Sequence, residues 1–243
     1  MQTTMNIHRA MIRLSVGCLA AALLLSCGGG SGIGPGEIQK REDRLKDRLP
    51  IDWSHYNDGD LESAIDFFTT TLDQADGLEG VDAVKNEVKS EAQNGIGWSF
   101  MSKQNLEDAE RAFSIATTLD RRNADAWVGW AGVSLATGDF ADVVQYAIQA
   151  LEAEPDYESA TRIDSQGRFL GHDNIDENHV RLMLSEAYFH LGRYSATDRP
   201  DPNNSSAQLR LVNRNYRFSN PGQLLDSLSV AAISVQETVS NGL

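Results

Sequence analysis

The chain has 243 residues and a formal net charge of −14 at pH 7, with hydrophobic residues making up 41% of the sequence. An acidic chain without a clustered basic face lacks the charge that phosphate backbones require, so the composition argues against a nucleic-acid-binding protein. The length suits a single helical domain with its own core.

Residues 1–27 have the composition of an export signal. Arg9 and Arg13 lead into an apolar run, Leu14–Leu25, and no acidic residue interrupts it. A positive start before a short apolar run is typical of a signal peptide, since the run is too short to span a membrane as a helix. The run ends in the sequence LLSC at Cys27. This ending resembles the lipobox of bacterial lipoproteins, and the resemblance implies that Cys27 becomes the lipidated first residue.

The alternatives are an ordinary signal peptide and an uncleaved membrane anchor. Cys18 lies inside the segment that would be removed, so no disulfide is expected. In the lipoprotein family, a glycine after the lipidated cysteine, here Gly28, implies sorting to the outer membrane. The resemblance therefore implies a lipid-anchored protein of the bacterial cell envelope that faces the periplasm. Without the two arginines of residues 1–27, the net charge falls from −14 to −16.

Residues 28–48 are predicted to form a tether. The first part, Gly28–Gly36, is rich in glycine, which indicates a flexible coil. The second part, Glu37–Arg48, is charged on all sides, which indicates a marginal helix or an extension of the tether. The structured helical domain is expected over residues 49–243. It starts with a degenerate helical hairpin in which Pro50 weakens the first helix and Asp60 caps the second.

Residues 90–123 and 124–157 are two adjacent copies of one 34-residue unit. When one copy is shifted onto the other, Gly97 aligns with Ala131 and Ala109 with Val143. Repetition at a fixed period indicates a repeat architecture in which each unit is a helix–turn–helix. In the first copy Asn105 is the predicted cap of the second helix. In the second copy Gly138 ends the first helix and Asp139 caps the next one.

The motif residues resemble those of the tetratricopeptide repeat (TPR). The family pattern is W-x₂-L-G-x₂-Y, then A-x₃-F, then P. Its matches are Ile96-Gly97-x₂-Phe100 and Ala109-x₃-Phe113 in the first copy, and Trp127-x₂-Trp130-Ala131 and Pro155 in the second. Gln93, Arg121 and Ser134 depart from the pattern. The resemblance implies an all-α solenoid of about three to four helical hairpins whose first helices line a concave groove.

Two insertions interrupt the pattern after Pro155, at residues 158–178 and 198–222. Between them the helix that carries Tyr188 begins a third repeat, and an amphipathic closing helix follows Leu224. Residues 208–218 are apolar enough for a short strand, which could pair with residues 168–170 as a two-stranded ribbon.

By their place in the period, nine residues are predicted to face the groove and to bind a protein or peptide partner. They are Trp53, Tyr56, Asn94, Trp98, Met101, Val128, Leu135, Glu186 and Phe189. The alternative is that these side chains pack under the terminal segments or the insertions.

Catalytic chemistry has little support in this sequence. A loop holds five side chains that could bind a metal ion: His172, Asp173, Asp176, Glu177 and His179. Their spacing fits neither an EF-hand nor the H-E-x-x-H zinc motif, so Asp176–Asn178 is interpreted as a helix cap. No phosphate-binding loop or nucleophile motif occurs either. We therefore expect no enzyme, no metal, no cofactor and no small-molecule substrate.

The sequence predicts an envelope adaptor or scaffold that is attached to the membrane by its lipid and binds proteins through its groove. An outer-membrane assembly or secretion-pilot lipoprotein is an alternative within this class. A glycan-binding lipoprotein is an alternative from another class.

Overall fold

The computed structural model describes residues 34–77, 82–164, 167–172, 175–194, 202–215 and 220–241, and for residues 82, 83 and 233–241 it describes the backbone alone. Residues 1–33, with the predicted signal peptide and Cys27, lie outside these ranges. The described part is all-α, as predicted. Its helices in chain order are α1 (Pro35–Lys46), α2 (Leu49–Asn57), α3 (Leu61–Asp76), α4 (Asp82–Ser102), α5 (Leu106–Leu119), α6 (Ala124–Thr137), α7 (Phe140–Ala153), α8 (Glu177–His190), α9 (Ser205–Val212) and α10 (Pro221–Asn241), with one 3-10 turn at Ser159–Thr161.

Three successive helical hairpins, α2–α3, α4–α5 and α6–α7, form the centre of the domain. Their turns contain a residue in the left-handed region: Gly59, Gln104 and Gly138, with φ values of 78°, 60° and 83°. The side chains of Asp60 and Asn105 then cap α3 and α5 as predicted, each accepting a hydrogen bond from a backbone N–H of the first turn. Asp139 does not cap α7 in this way, because its carboxylate accepts a hydrogen bond from Thr137 Oγ1 (2.9 Å) instead.

Phenylalanine rings packed on helix glycines hold neighbouring helices close together. A Cβ atom built on Gly95 of α4 would lie 2.1 Å from the ring of Phe68 of α3. Phe113 of α5 packs in the same way against Gly97 of α4 and Gly129 of α6, where the distances would be 2.6 and 2.3 Å. Any side chain at these glycines would displace a buried ring, so glycine is required for the close approach.

The hairpins form a curved array. The first helices α2, α4, α6 and α8 contact one another in succession, whereas the described residues of the second helices α3, α5 and α7 make no comparable mutual contact. The array therefore curves towards its first helices, and we call the side that they form the concave face.

The prediction that structured sequence begins near Leu49 is wrong. Helix α1 covers most of the expected tether and contacts α2, α3 and α4. Its Leu45 is 4% exposed within the main core, and Lys46 forms an ion pair with Glu87 of α4. Pro50 also leaves α2 intact, because the first turn of a helix does not use the N–H that proline lacks.

The predicted strand over residues 208–218 is wrong for its described part, residues 208–215, and residues 216–218 lie outside the described ranges. Helix α9 occupies the start of this segment and is capped by Asn204, whose side chain accepts a hydrogen bond from the N–H of Ala207. Leu209 is fully buried against leucines of α10, and this contact favours a helix over an isolated strand. The first insertion instead folds back on itself through isolated antiparallel bridges, one of which joins Ile163 to Phe169.

The predicted closing helix is confirmed as α10, which packs on α8 and α9. Among the described residues, no helix has both the length and the apolarity that a membrane crossing requires.

A covered concave face as the candidate functional site

The predicted groove residues do not line an open groove. Trp53, Tyr56, Asn94, Trp98 and Val128 are all at most 6% exposed, although they do lie on the first helices. Met101 and Leu135 are half-buried, Glu186 is exposed, and Phe189 packs in a separate C-terminal cluster. The prediction of an open groove is therefore wrong, and packing under an insertion accounts for the burial of the residues at its centre.

The covering segment belongs to the first insertion. We call Tyr157 together with the described residues of this insertion up to His172, which are 158–164 and 167–172, the ribbon. His172 at its end is 4% exposed and is stacked on Trp53, with 5.3 Å between ring centroids and 18° between planes. The centroid of Trp98 is 4.3 Å from that of the same imidazole. Asn57 of α2 donates a hydrogen bond to the carbonyl of Gly171 (2.9 Å), so the ribbon is attached to the helices by backbone as well as by side chains.

Asp125 of α6 is the centre of the contact between the ribbon and the concave face. The residue is 1% exposed, and both carboxylate oxygens accept several hydrogen bonds. The donors are Tyr157 Oη and His172 Nε2 (2.8 Å) to Oδ1, and Asn94 Nδ2 (2.6 Å), Trp98 Nε1 (3.1 Å) and Arg162 Nη1 (2.7 Å) to Oδ2. Three of these donors come from the ribbon and two from α4, so one carboxylate joins two helices and the covering segment.

Arg162 connects this carboxylate to a second one. Its Nη2 donates to Glu91 Oε2 of α4 (2.7 Å) while Nη1 donates to Asp125. The other oxygen of Glu91 accepts a hydrogen bond from Trp53 Nε1 (2.8 Å). The planar guanidinium thus lies between two carboxylates of the concave face, an arrangement that its fork of donors suits well.

The electrostatics of the cluster keep Asp125 and Arg162 charged and Tyr157 protonated. Burial alone would raise the pKa of Asp125, but Arg162, His172 and the hydrogen bonds outweigh it and hold that pKa well below its usual range. Burial would lower the pKa of Arg162, yet Asp125 and Glu91 raise it overall. Burial and the charge of Asp125 raise the pKa of Tyr157, so its hydroxyl remains a donor.

The cluster has the character of a binding contact between the ribbon and the helices. Asp125 has its oxygens occupied by fixed donors, and His172 Nδ1 is buried with no hydrogen-bond partner among the described residues. A general base must reach the proton of a substrate, and the buried side chains of Asp125 and His172 do not reach one in this arrangement.

The side chains considered for a metal ion belong to two different parts of the fold. His172 belongs to the buried cluster, whereas His179 and Asp176 form a capping box at the start of α8. Asp173 lies outside the described residues. Within the described ranges, no three His, Cys, Asp or Glu side chains are grouped so that they could hold a metal ion.

A cleft of about 250 Å³ opens beside Arg162, between the ribbon and helices α4 and α6. Six acidic and three basic residues line it. The acidic residues are Glu87, Glu91, Asp120, Asp125, Glu154 and Asp164, and the basic ones are Lys46, Arg122 and Arg162. The cleft therefore has an excess of negative charge next to the buried ion pairs.

In comparisons with known proteins, no family model matches the chain and no curated protein has a matching sequence.

Sequence reasoning did not find Glu91, Asp125, Tyr157 or Arg162. One signal was present, since Asp125 is the only charged residue in the sequence of α6. A lone carboxylate in an apolar helix requires a partner, because burying an unpaired charge is costly. The sequence did not indicate which of the chain's 21 lysines and arginines would supply that partner.

Proposed function

We propose that this protein is a lipid-anchored adaptor of the bacterial cell envelope, with TPR-like hairpins whose concave face binds polypeptide segments. The observation that carries the proposal is the covered face itself. Side chains of α2, α4 and α6 hold a non-helical segment of polypeptide through hydrogen bonds, ion pairs and ring stacking. A partner's segment would present the same kinds of groups.

The location in the envelope rests on the resemblance of residues 1–27 to a lipoprotein signal. The acidic surface of the chain suits an exported protein that stays in solution around its anchor. Such an anchor and a polypeptide-binding face are the two parts that an adaptor needs.

Site-specific photocrosslinking in the source bacterium tests the proposal. A photoreactive amino acid is placed at Glu154, which is exposed and lines the cleft beside the ribbon. The matched control carries the same group at Glu110, which is exposed on α5 and outside the cleft. We expect a discrete cross-linked envelope protein from position 154 and none of that size from position 110.

The same products from both positions, or none from position 154, would contradict an adaptor that uses its concave face. If sugar polymers raised the melting temperature while no protein was cross-linked, the glycan-binding alternative would replace it.

A further inference from the structure

The concave face contains a built site for a guanidinium group. Glu91 of α4 and Asp125 of α6 each accept a hydrogen bond of 2.7 Å from Arg162, one from each terminal nitrogen. Both carboxylates belong to the helices, and the cation belongs to the ribbon. A lysine ammonium is a compact point charge without this fixed pair of donors, so the geometry favours arginine.

Polar groups supply many of the contacts between the ribbon and the helices. Of its described apolar side chains, Tyr157 and Leu170 are buried, but Ile163 is 61% and Phe169 47% exposed. Arg162, His172 and the carbonyl of Gly171 supply the polar contacts with the helices. The hydrophobic effect contributes through Tyr157 and Leu170, which belong to the main core. The polar contacts are ones that another chain with the same polar groups could also make.

The net contribution of a buried ion pair of this kind to stability is small. Desolvating the charges offsets much of their attraction, so the pair contributes less to stability than its short distances suggest. Leaving Glu91 and Asp125 without a cation would in contrast be strongly unfavourable. The face therefore requires a guanidinium, but not specifically the one at Arg162.

We propose that the ribbon is an intramolecular competitor, and that the partner of the concave face presents an arginine that replaces Arg162 between Glu91 and Asp125. This inference rests on the proposed adaptor function and names the chemistry of its partner. The negative charge of the adjoining cleft favours a cationic segment over an acidic one. Because the ribbon is part of the chain, its effective concentration is on the order of millimolar, and a free segment must overcome it.

Binding of a synthetic peptide to the full-length chain in detergent micelles tests the competition. The probe is a fluorescent peptide with the sequence of residues 157–172, and a second peptide carries citrulline, the uncharged analogue of arginine, at the place of Arg162. We expect the Arg162→Ala chain to bind the arginine peptide at least tenfold more tightly than the wild-type chain does. We expect the citrulline peptide to bind that variant at least tenfold more weakly.

Arg168→Ala is the matched control. Arg168 is the other arginine of the ribbon, but it pairs with Asp47 and Asp164 away from the guanidinium site. This variant should bind the arginine peptide within about twofold of wild type. Equal binding by wild type and Arg162→Ala, or equal binding of the two peptides, would overturn the proposal.

Folding of the variant is checked by circular dichroism. If Arg162→Ala is unfolded, Arg162→Lys keeps the charge and loses the paired donors, and it should still bind the arginine peptide more tightly than wild type. A measurement on the wild-type chain needs no variant. Millimolar arginine peptide should accelerate hydrogen exchange at the N–H of Leu170, which donates to the carbonyl of Arg162 within the ribbon. No acceleration would also overturn the proposal.

These outcomes are independent of the crosslinking experiment. A cross-linked partner without arginine-dependent peptide binding would retain the adaptor and reject the guanidinium site. Arginine-dependent binding without a cross-linked partner would retain the site and reject the envelope adaptor.

Discussion

Two buried aspartates of this protein have opposite electrostatic environments. Asp125 is surrounded by five donors, and its pKa is held well below the usual range despite burial. Asp52 of α2 accepts one hydrogen bond, from Thr71 Oγ1 (2.6 Å), and its Oδ1 has no partner among the described residues. Burial raises the pKa of Asp52 to about 6, with Thr71 and Arg48 opposing the rise. A buried carboxyl group of this protein therefore has a low pKa only where enough hydrogen-bond donors compensate its desolvation.

Asp52 should make the protein less stable as the pH rises. The unfolded carboxyl ionises near 3.8 and the folded one at about 6, so between these values the folded state holds a proton that the unfolded state has lost. The contribution of Asp52 to the free energy of unfolding falls through this window and is constant above it. Asp52→Asn should match wild type at pH 4 and exceed it by about 2–3 kcal/mol at pH 7.5. Urea unfolding of both chains at the two pH values measures this difference.

Asp66→Asn is the control, because Asp66 is exposed on the neighbouring helix α3. Its effect on the free energy of unfolding should be small at both pH values. A gain for Asp52→Asn that is equally large at pH 4 would show that ionisation of Asp52 is not the cause.

At the scale of the helix, small residues set the spacing between neighbouring hairpins. Gly97 of α4 lies against the ring of Phe113, and Ala131, the aligned residue of the next repeat, is fully buried in α6. Both positions are close-packed, so larger side chains have no space without movement of a helix.

Gly97→Leu and Ala131→Leu should each destabilise the protein by about 1–3 kcal/mol, the usual cost of overpacking a core. Thermal and urea unfolding, followed by circular dichroism, measure the change. Gly36→Leu in α1 is the control, since a Cβ atom at Gly36 would have no neighbour within 4 Å. Unchanged stability of both core variants would contradict the alignment of the two repeats.

Most helices could be predicted from the sequence because their signals are local. The caps Asp60 and Asn105 and the left-handed Gly138 each act within one turn of the residues that reveal them. The stability of α1 and the helical state of α9 could not be predicted in this way. The sequence of α1 is strongly charged and α9 has only eight residues, and buried contacts of Leu45 and Leu209 with other helices stabilise them.

At the scale of the whole molecule, the proposed anchor decides where the concave face is presented. Cys27→Ser should abolish metabolic labelling with palmitate and leave an unprocessed precursor, because serine has no thiol to acylate. Stable attachment by lipid requires about two acyl chains, and the variant should carry neither of them.

Cys18→Ser is the matched control, since Cys18 lies in the apolar run that processing would remove. It should be labelled and processed like wild type. Equal labelling of the Cys27→Ser chain would contradict the lipoprotein hypothesis.

The sequence by itself determined the helical class, the period of the central repeats, the caps at Asp60 and Asn105, and the closing helix. These features follow from residues within a few turns of each other, where spacing and propensity suffice. Only the tertiary structure decided that the concave face is covered. Arg162 and Glu91 are 71 residues apart, and the ribbon lies on the face because a buried pair of carboxylates needs a cation and aromatic rings need a stacking partner. Contacts between residues so far apart in the sequence depend on which groups the fold brings together, and local sequence patterns do not predict them.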